Sequence, residues 1–101
     1  MRAVIKWFGM RMENKLKEND HKGGWMNCNF KSLFKRMRIE SDEILEAYYF
    51  QRMQRDWGNW KIDEDSAQEL IDECADVANY AMMIADNCKK RIDKAQCGEE
   101  L

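Results

Sequence analysis

The chain has no proline, only five glycines and a single histidine among its 101 residues. Without proline and with so few glycines, little in the sequence interrupts a helix, and long helices are the natural reading. One histidine, His21, excludes a ferritin-like di-iron centre, which needs a Glu-x-x-His on each of two helices. It also leaves Ser-His-Asp and Cys-His nucleophiles poorly supplied, since His21 sits in a glycine-flanked stretch and reads as a loop residue. No G-x-x-x-x-G-K-[ST] is present, so phosphate cannot be held by a P-loop. Cys28, Cys74, Cys88 and Cys97 include no C-x-x-C pair, which weakens a zinc reading. Nothing resembles a secretory signal. The first twelve residues carry Arg2, Lys6 and Arg11 and are too short and too charged to span a bilayer. Reduced thiols, a cytoplasmic location and no membrane partner are expected, with Cys74 packing as a small hydrophobe.

What the chain does have is charge and apolar bulk. Charged residues make up 36% and hydrophobic ones 45%, including eight Met, four Trp, four Phe and three Tyr. A domain this small buries a limited share of its surface, so part of that apolar supply is available for contacts between subunits. The net charge of −2 gives no reason to expect a nucleic-acid polymer as partner. Lys31, Lys35, Arg36 and Arg38 crowd together just before the first acidic pair; a solvated helix face is their simplest reading and a phosphate-facing cluster the alternative.

The periodicity predicts one all-α domain over residues 1–101. Residues 1–19 form an N-terminal helix, 20–95 carry the motif-bearing helices, and 96–101 form a frayed tail. The first helix, 2–18, has an apolar stripe of Val4, Trp7, Phe8, Met12 and Leu16, with Asn14, Lys15, Lys17 and Glu18 on the other side. The glycine pair after Lys22 ends it. The second, 29–54, is capped by Asn27 or Asn29, and its stripe is Phe30, Leu33, Phe34, Met37, Ile44, Leu45 and Tyr48. A loop over 55–65 holds Trp57 and Trp60, either as a lid or at a subunit contact. The third helix, 66–92, opens on a Ser66-x-x-Glu69 capping box, and Leu70, Ile71, Cys74, Ala78, Ala81, Met82 and Ala85 form its stripe. Three such helices with small loops predict an antiparallel bundle with one open apolar side. A short fourth helix near the end, or a homodimer or homotetramer, would close that side.

Two acidic pairs stand out, Glu40-Ser-Asp-Glu43 and Glu73-Cys-Ala-Asp76. At i,i+3 spacing, each pair projects from nearly one side of a helix. Four converging carboxylates repel one another unless a hard cation sits among them, and Mg²⁺ takes such oxygen ligands along with substrate phosphates. Mn²⁺ is a possible substitute. In a chain with 19 acids, such pairs also arise by chance on solvated faces, as Glu43-x-x-Glu46 and Glu69-x-x-Asp72 illustrate. Position separates them. At about 100° per residue, Glu40 flanks the stripe of the second helix, and Glu43 lies further round in the same sense. Glu73 occupies the corresponding flank of the third, with Glu69, Asp76 and Tyr80 beyond. Two helices packed face to face and antiparallel bring those flanks together. Glu46 and Asp72 lie nearly opposite their stripes and read as solvent-facing.

Glu40-x-x-Glu43-Ile-Leu-Glu-Ala, the later Glu73-x-x-Asp76-Val, the run Lys22-Gly-Gly-Trp25 and the stretch from Asp76 to Asp86 together resemble the all-α NTP pyrophosphatase superfamily of MazG-like proteins. The resemblance covers roughly residues 20–90. It implies Mg²⁺ held by Glu40, Glu43, Glu73 and Asp76, oligomerisation, and hydrolysis of a nucleoside triphosphate to monophosphate and pyrophosphate. Glu40 or Glu43 would take a proton from the attacking water. Glu69 would act through a water or orient a ligand.

For substrate contacts, Lys22 is placed to meet phosphates or to be a solvated loop lysine. Trp25 stacks on a base or folds over the core. Tyr80, one turn beyond Asp76, and Asn79 beside it meet the ribose or base, or simply edge the core. The alternative function for the same bundle is a non-catalytic helical dimerisation or interaction module.

Overall fold

A computed structural model describes residues 1–19, 24–26, 28–53 and 64–96. Among them there are three helices and no strand: α1 (Ala3–Glu18), α2 (Phe30–Met53) and α3 (Glu64–Gln96). Asn29 caps α2, its Oδ1 accepting the Ser32 N–H at 2.8 Å. The alternative cap, Asn27, lies outside the described residues, as do Trp57, Trp60, Cys97 and the place expected for a fourth helix. Asn19 closes α1, its Nδ2 donating to the Lys15 carbonyl at 3.1 Å. α3 starts two residues before Ser66, which therefore lies inside the first turn and is not the N-cap of a capping box. Glu64 and Asp65 occupy that turn instead, where the helix dipole favours negative charge. α3 also runs on to Gln96, past the expected end at Ile92. Its 33 residues span about 50 Å.

Side-chain pairs fix the directions of the helices. Arg91 lies over the Phe30 ring at 5.3 Å, while Glu40, ten residues further along α2, meets Glu73 and Asp76. α2 is therefore antiparallel to α3, as expected. Asn79 bonds Met12, and Lys15 pairs with Asp76, so α1 is antiparallel to α3 as well. The two outer helices thus run parallel to each other, which departs from an up-down-up bundle. Between them in sequence, Trp25 is tied to Asp86 and Asn87 of α3. Among the described residues, α1 and α2 each pack on α3 and not on one another. They flank a gap whose floor is α3.

The core is thin. Among the described residues, Leu33 and Ala75 are the buried hydrophobic ones, and Asn79 is buried with them. Ala75, without side-chain bulk, lets the backbones approach closely. The expected stripe of α1 holds only in its second half: Phe8, Met12 and Leu16 are part-buried, whereas Val4 and Trp7 are exposed. On α2, Phe34 and Leu45 are exposed and Leu33, Met37 and Ile44 turn inward.

On α3 the inward face is rotated by about one residue from the expected stripe. Ala75 and Asn79 are buried, while Cys74, Ala81 and Ala85 lie on the surface. Cys74 is thus an exposed thiol and not a core hydrophobe. The cause is that α3 is covered on two sides. Its partners take the seam through 75 and 79 and the seam through 73, 76, 80 and 83, leaving the small-residue seam bare. The radius of gyration of 17.2 Å exceeds the about 13 Å of a compact chain of this length.

Candidate metal centre and adjoining cleft

Glu40 on α2 and Glu73 and Asp76 on α3 meet in the groove. One carboxylate oxygen from each lies within 4.8 Å of the others. Antiparallel packing places the flank of α2 against the matching flank of α3, and i,i+3 spacing puts Glu73 and Asp76 on one side. All three are part-buried. Glu43 stays at the exposed rim and is not one of this closest group, although its charge reaches all three.

The electrostatics are those of a crowded anionic site. Burial is the first cause raising the Glu40 carboxyl above its ordinary value, followed by the charges of Glu43 and Asp76. A hydrogen bond with the Glu43 side chain further favours its protonated form. Burial likewise raises Glu73, with Glu43 and Asp76 adding to it. Burial raises Asp76 too, and Lys15 partly offsets the effect. Glu73 Oε2 is buried without a hydrogen-bond partner among the described residues.

An orphaned carboxylate oxygen in a group of three acids fits a hard cation. Two oxygens on one octahedral Mg²⁺ lie at most about 4.2 Å apart. Oxygens in cis positions stand closer, at about 2.9 Å, so the three side chains, whose oxygens lie within 4.8 Å of one another, would draw together around the ion.

Beside the carboxylates the groove opens into a cleft of about 530 Å³. α1 contributes Lys15, Leu16 and Asn19, and α2 contributes Leu33 and Arg36. Asp76, Asn79, Tyr80 and Met83 form the floor, and Trp25 closes one end. Trp25 Nε1 donates to Asp86 Oδ2 at 3.0 Å, and Lys90 Nζ donates to the same oxygen at 2.7 Å, which fixes the indole as a wall. Tyr80 is part-buried. Burial raises its hydroxyl, with Arg36 opposing and Glu40 and Asp76 reinforcing.

Of the substrate residues expected from sequence, Trp25, Asn79 and Tyr80 line this cleft. Glu69 is exposed one turn before Glu73 and outside the acidic group. Lys22 lies outside the described residues. Asp72, read as solvent-facing, is half-buried, and its charge reaches both Glu73 and Asp76.

One cation, Lys15, was missed. Lys15 Nζ stands 3.8 Å from Asp76 Oδ1 and 3.7 Å from Glu18 Oε2. Its position one residue before Leu16, at the edge of the apolar stripe, is the available signal, since a lysine stem covers apolar surface while its head reaches a charge. Arg36 leaves the other basic residues of its cluster by turning toward the cleft. No helix among the described residues is long and apolar enough to cross a membrane. Comparison of the chain with protein-family models, with curated proteins and with solved structures gives no match.

Proposed function

We propose that the chain is a Mg²⁺-dependent nucleoside triphosphate pyrophosphohydrolase. The observation that carries this reading is the convergence of Glu40, Glu73 and Asp76, with Glu73 Oε2 buried and unpartnered. The motif order, resembling the MazG-like pyrophosphatases, supports it. Glu40, Glu73 and Asp76 would hold the cation, and Glu43 lies at the rim beside them. A bound Mg²⁺ supplies neutralisation of phosphate charge and a more acidic water. The chain's own residues supply the rest. Lys15 and Arg36 bring positive charge to the cleft, and Glu43, exposed at the rim beside Glu40, is available to receive a proton.

The exposed apolar residues Val4, Ile5, Trp7 and Met10 on the outer end of α1 support a second copy as partner. They would serve equally in a non-catalytic helical module, and metal separates the two readings. Only a metal site is stabilised thermally by Mg²⁺ or Mn²⁺. The direct test is a panel of NTPs and dNTPs with Mg²⁺, assayed for pyrophosphate, with Glu73→Gln as control. Release by the wild type and not by the variant is expected. No release from any nucleotide, or equal release by both proteins, counts against the proposal.

A further inference from the structure

Asn79 is 4% exposed and forms part of the cleft floor. Its Nδ2 donates to the Met12 carbonyl at 3.0 Å, and its Oδ1 is buried with no partner among the described residues. A carbonyl only accepts, so the nitrogen must face Met12 and the orientation of the amide is determined. The cleft floor therefore contains a fixed, unsatisfied acceptor with almost no accessible surface, which is costly unless a donor moves in to meet it. Phosphate oxygens are acceptors and cannot serve.

Along α3 the order of groups is Glu73 and Asp76, then Asn79, then Met83, with Trp25 beyond. Asn79 stands about 4.5 Å and Met83 about 10 Å past Asp76 along the axis. Along the α3 floor, carboxylates thus give way to a neutral acceptor and then to an apolar wall, with Arg36 of α2 acting on Tyr80 from the side, an order that matches phosphate, sugar and base.

We infer that Asn79 Oδ1 reads the nucleoside half of the ligand by accepting one hydrogen bond from an N–H or O–H donor there. This rests on the triphosphate reading above. It makes Asn79 a specificity residue, distinct from the carboxylates that hold the cation.

The test measures affinities of the wild-type protein with Mg²⁺ for α,β-methylene triphosphates of the four common bases, which cannot be cleaved at that bond. Each is paired with an analogue lacking the sugar 3′-hydroxyl and with one lacking the N–H donor of the base. Inorganic tripolyphosphate is the control without a nucleoside. Loss of one particular donor is expected to weaken binding about tenfold or more, and the identity of the weakened pair tells sugar from base. Asn79→Ser is expected to bind the two members of that pair alike.

Because Asn79 also ties α1 to α3, the variant can fail to fold. The wild-type analogue series still decides the matter, since equal affinity within every pair overturns the inference. Discrimination that persists in a folded Asn79→Ser overturns it too. So does a loss of Mg²⁺ affinity in that variant without nucleotide, which would assign the oxygen to the cation. Cleavage of nucleotides combined with no discrimination removes this inference alone, whereas binding of no nucleotide removes the pyrophosphohydrolase reading with it.

Discussion

Lys15 on α1 lies 3.8 Å from Asp76 on α3, bringing a cation to the edge of a group of three carboxylates. Among the described residues it is the one basic side chain paired with that group. It lowers both Glu73 and Asp76 against the burial that raises them. The contact is long and part-exposed, so its worth to stability is small, about 1 kcal/mol or less. Its weight falls on ligands. Lys15→Met is expected to leave the melting temperature nearly unchanged and to bind Mg²⁺ alone somewhat more tightly, because a competing charge is gone. The same variant should bind a triphosphate several-fold more weakly. Calorimetric titration of each ligand checks this, and parallel losses for both would count against a role on phosphate.

Glu73→Gln should separate stability from function. Glu73 is part-buried among like charges with one orphaned oxygen, so neutralising it relieves repulsion. Metal-free Glu73→Gln is expected to melt at a higher temperature than the wild type, while gaining nothing from added Mg²⁺. Destabilising strain at a site that function requires is the general pattern. Paired thermal melts with EDTA and with Mg²⁺ decide it.

The pH dependence follows from the same crowding. Glu40, Glu73 and Asp76 bind protons more tightly in the folded chain than in the unfolded one. The folded state therefore holds more protons, and stability falls as pH rises from their ordinary values of 4.5, 4.5 and 3.8 through the elevated ones. Asp86 is lowered by its bonds to Lys90 and Trp25 and works in the opposite sense, but only below 3.8. Metal-free protein should accordingly melt higher near pH 5 than near pH 7. Saturating Mg²⁺ should remove or reverse that difference.

Leu33 is one of two buried hydrophobic residues among those described, and it sits where α2 meets the cleft. With so thin a core, Leu33→Ala is expected to cost about 2–4 kcal/mol and to lower the melting temperature by at least roughly 10 °C. A loss below about 1 kcal/mol would mean that a contact between copies of the chain, and not the α2–α3 face, carries the stability. Sedimentation tests that contact directly. A mass of two or four times 12.1 kDa is expected, with Met10→Lys shifting the population toward monomer.

The acidic site was legible because Glu40, Glu73 and Asp76 lie on the flanks of stripes whose spacing survives packing. The face of α3 was not. A helical wheel assumes one buried side, whereas α3 is covered by two helices, and small residues such as Ala81 and Ala85 look equally suited to core or surface. That is why Cys74 was placed inside. The parallel course of α1 and α2 was hidden for a related reason. The wheel of each helix gives its buried side but not the direction in which it runs against α3, and it is the parallel course of α1 and α2 that brings both Lys15 and Arg36 to the cleft. Ser66-x-x-Glu69 has the spacing of a capping box, yet Glu64 and Asp65 begin the helix first.

We propose that Glu40, Glu73 and Asp76 would hold a divalent cation, which would neutralise the phosphates of a triphosphate cleaved by water at its α-phosphorus. Phosphorus NMR of the panel nucleotides, incubated with the protein and Mg²⁺, reads the products directly. Pyrophosphate and nucleoside monophosphate, appearing in equal amounts and abolished by EDTA or by Glu73→Gln, are predicted. Unchanged triphosphates, or orthophosphate with nucleoside diphosphate, would contradict it.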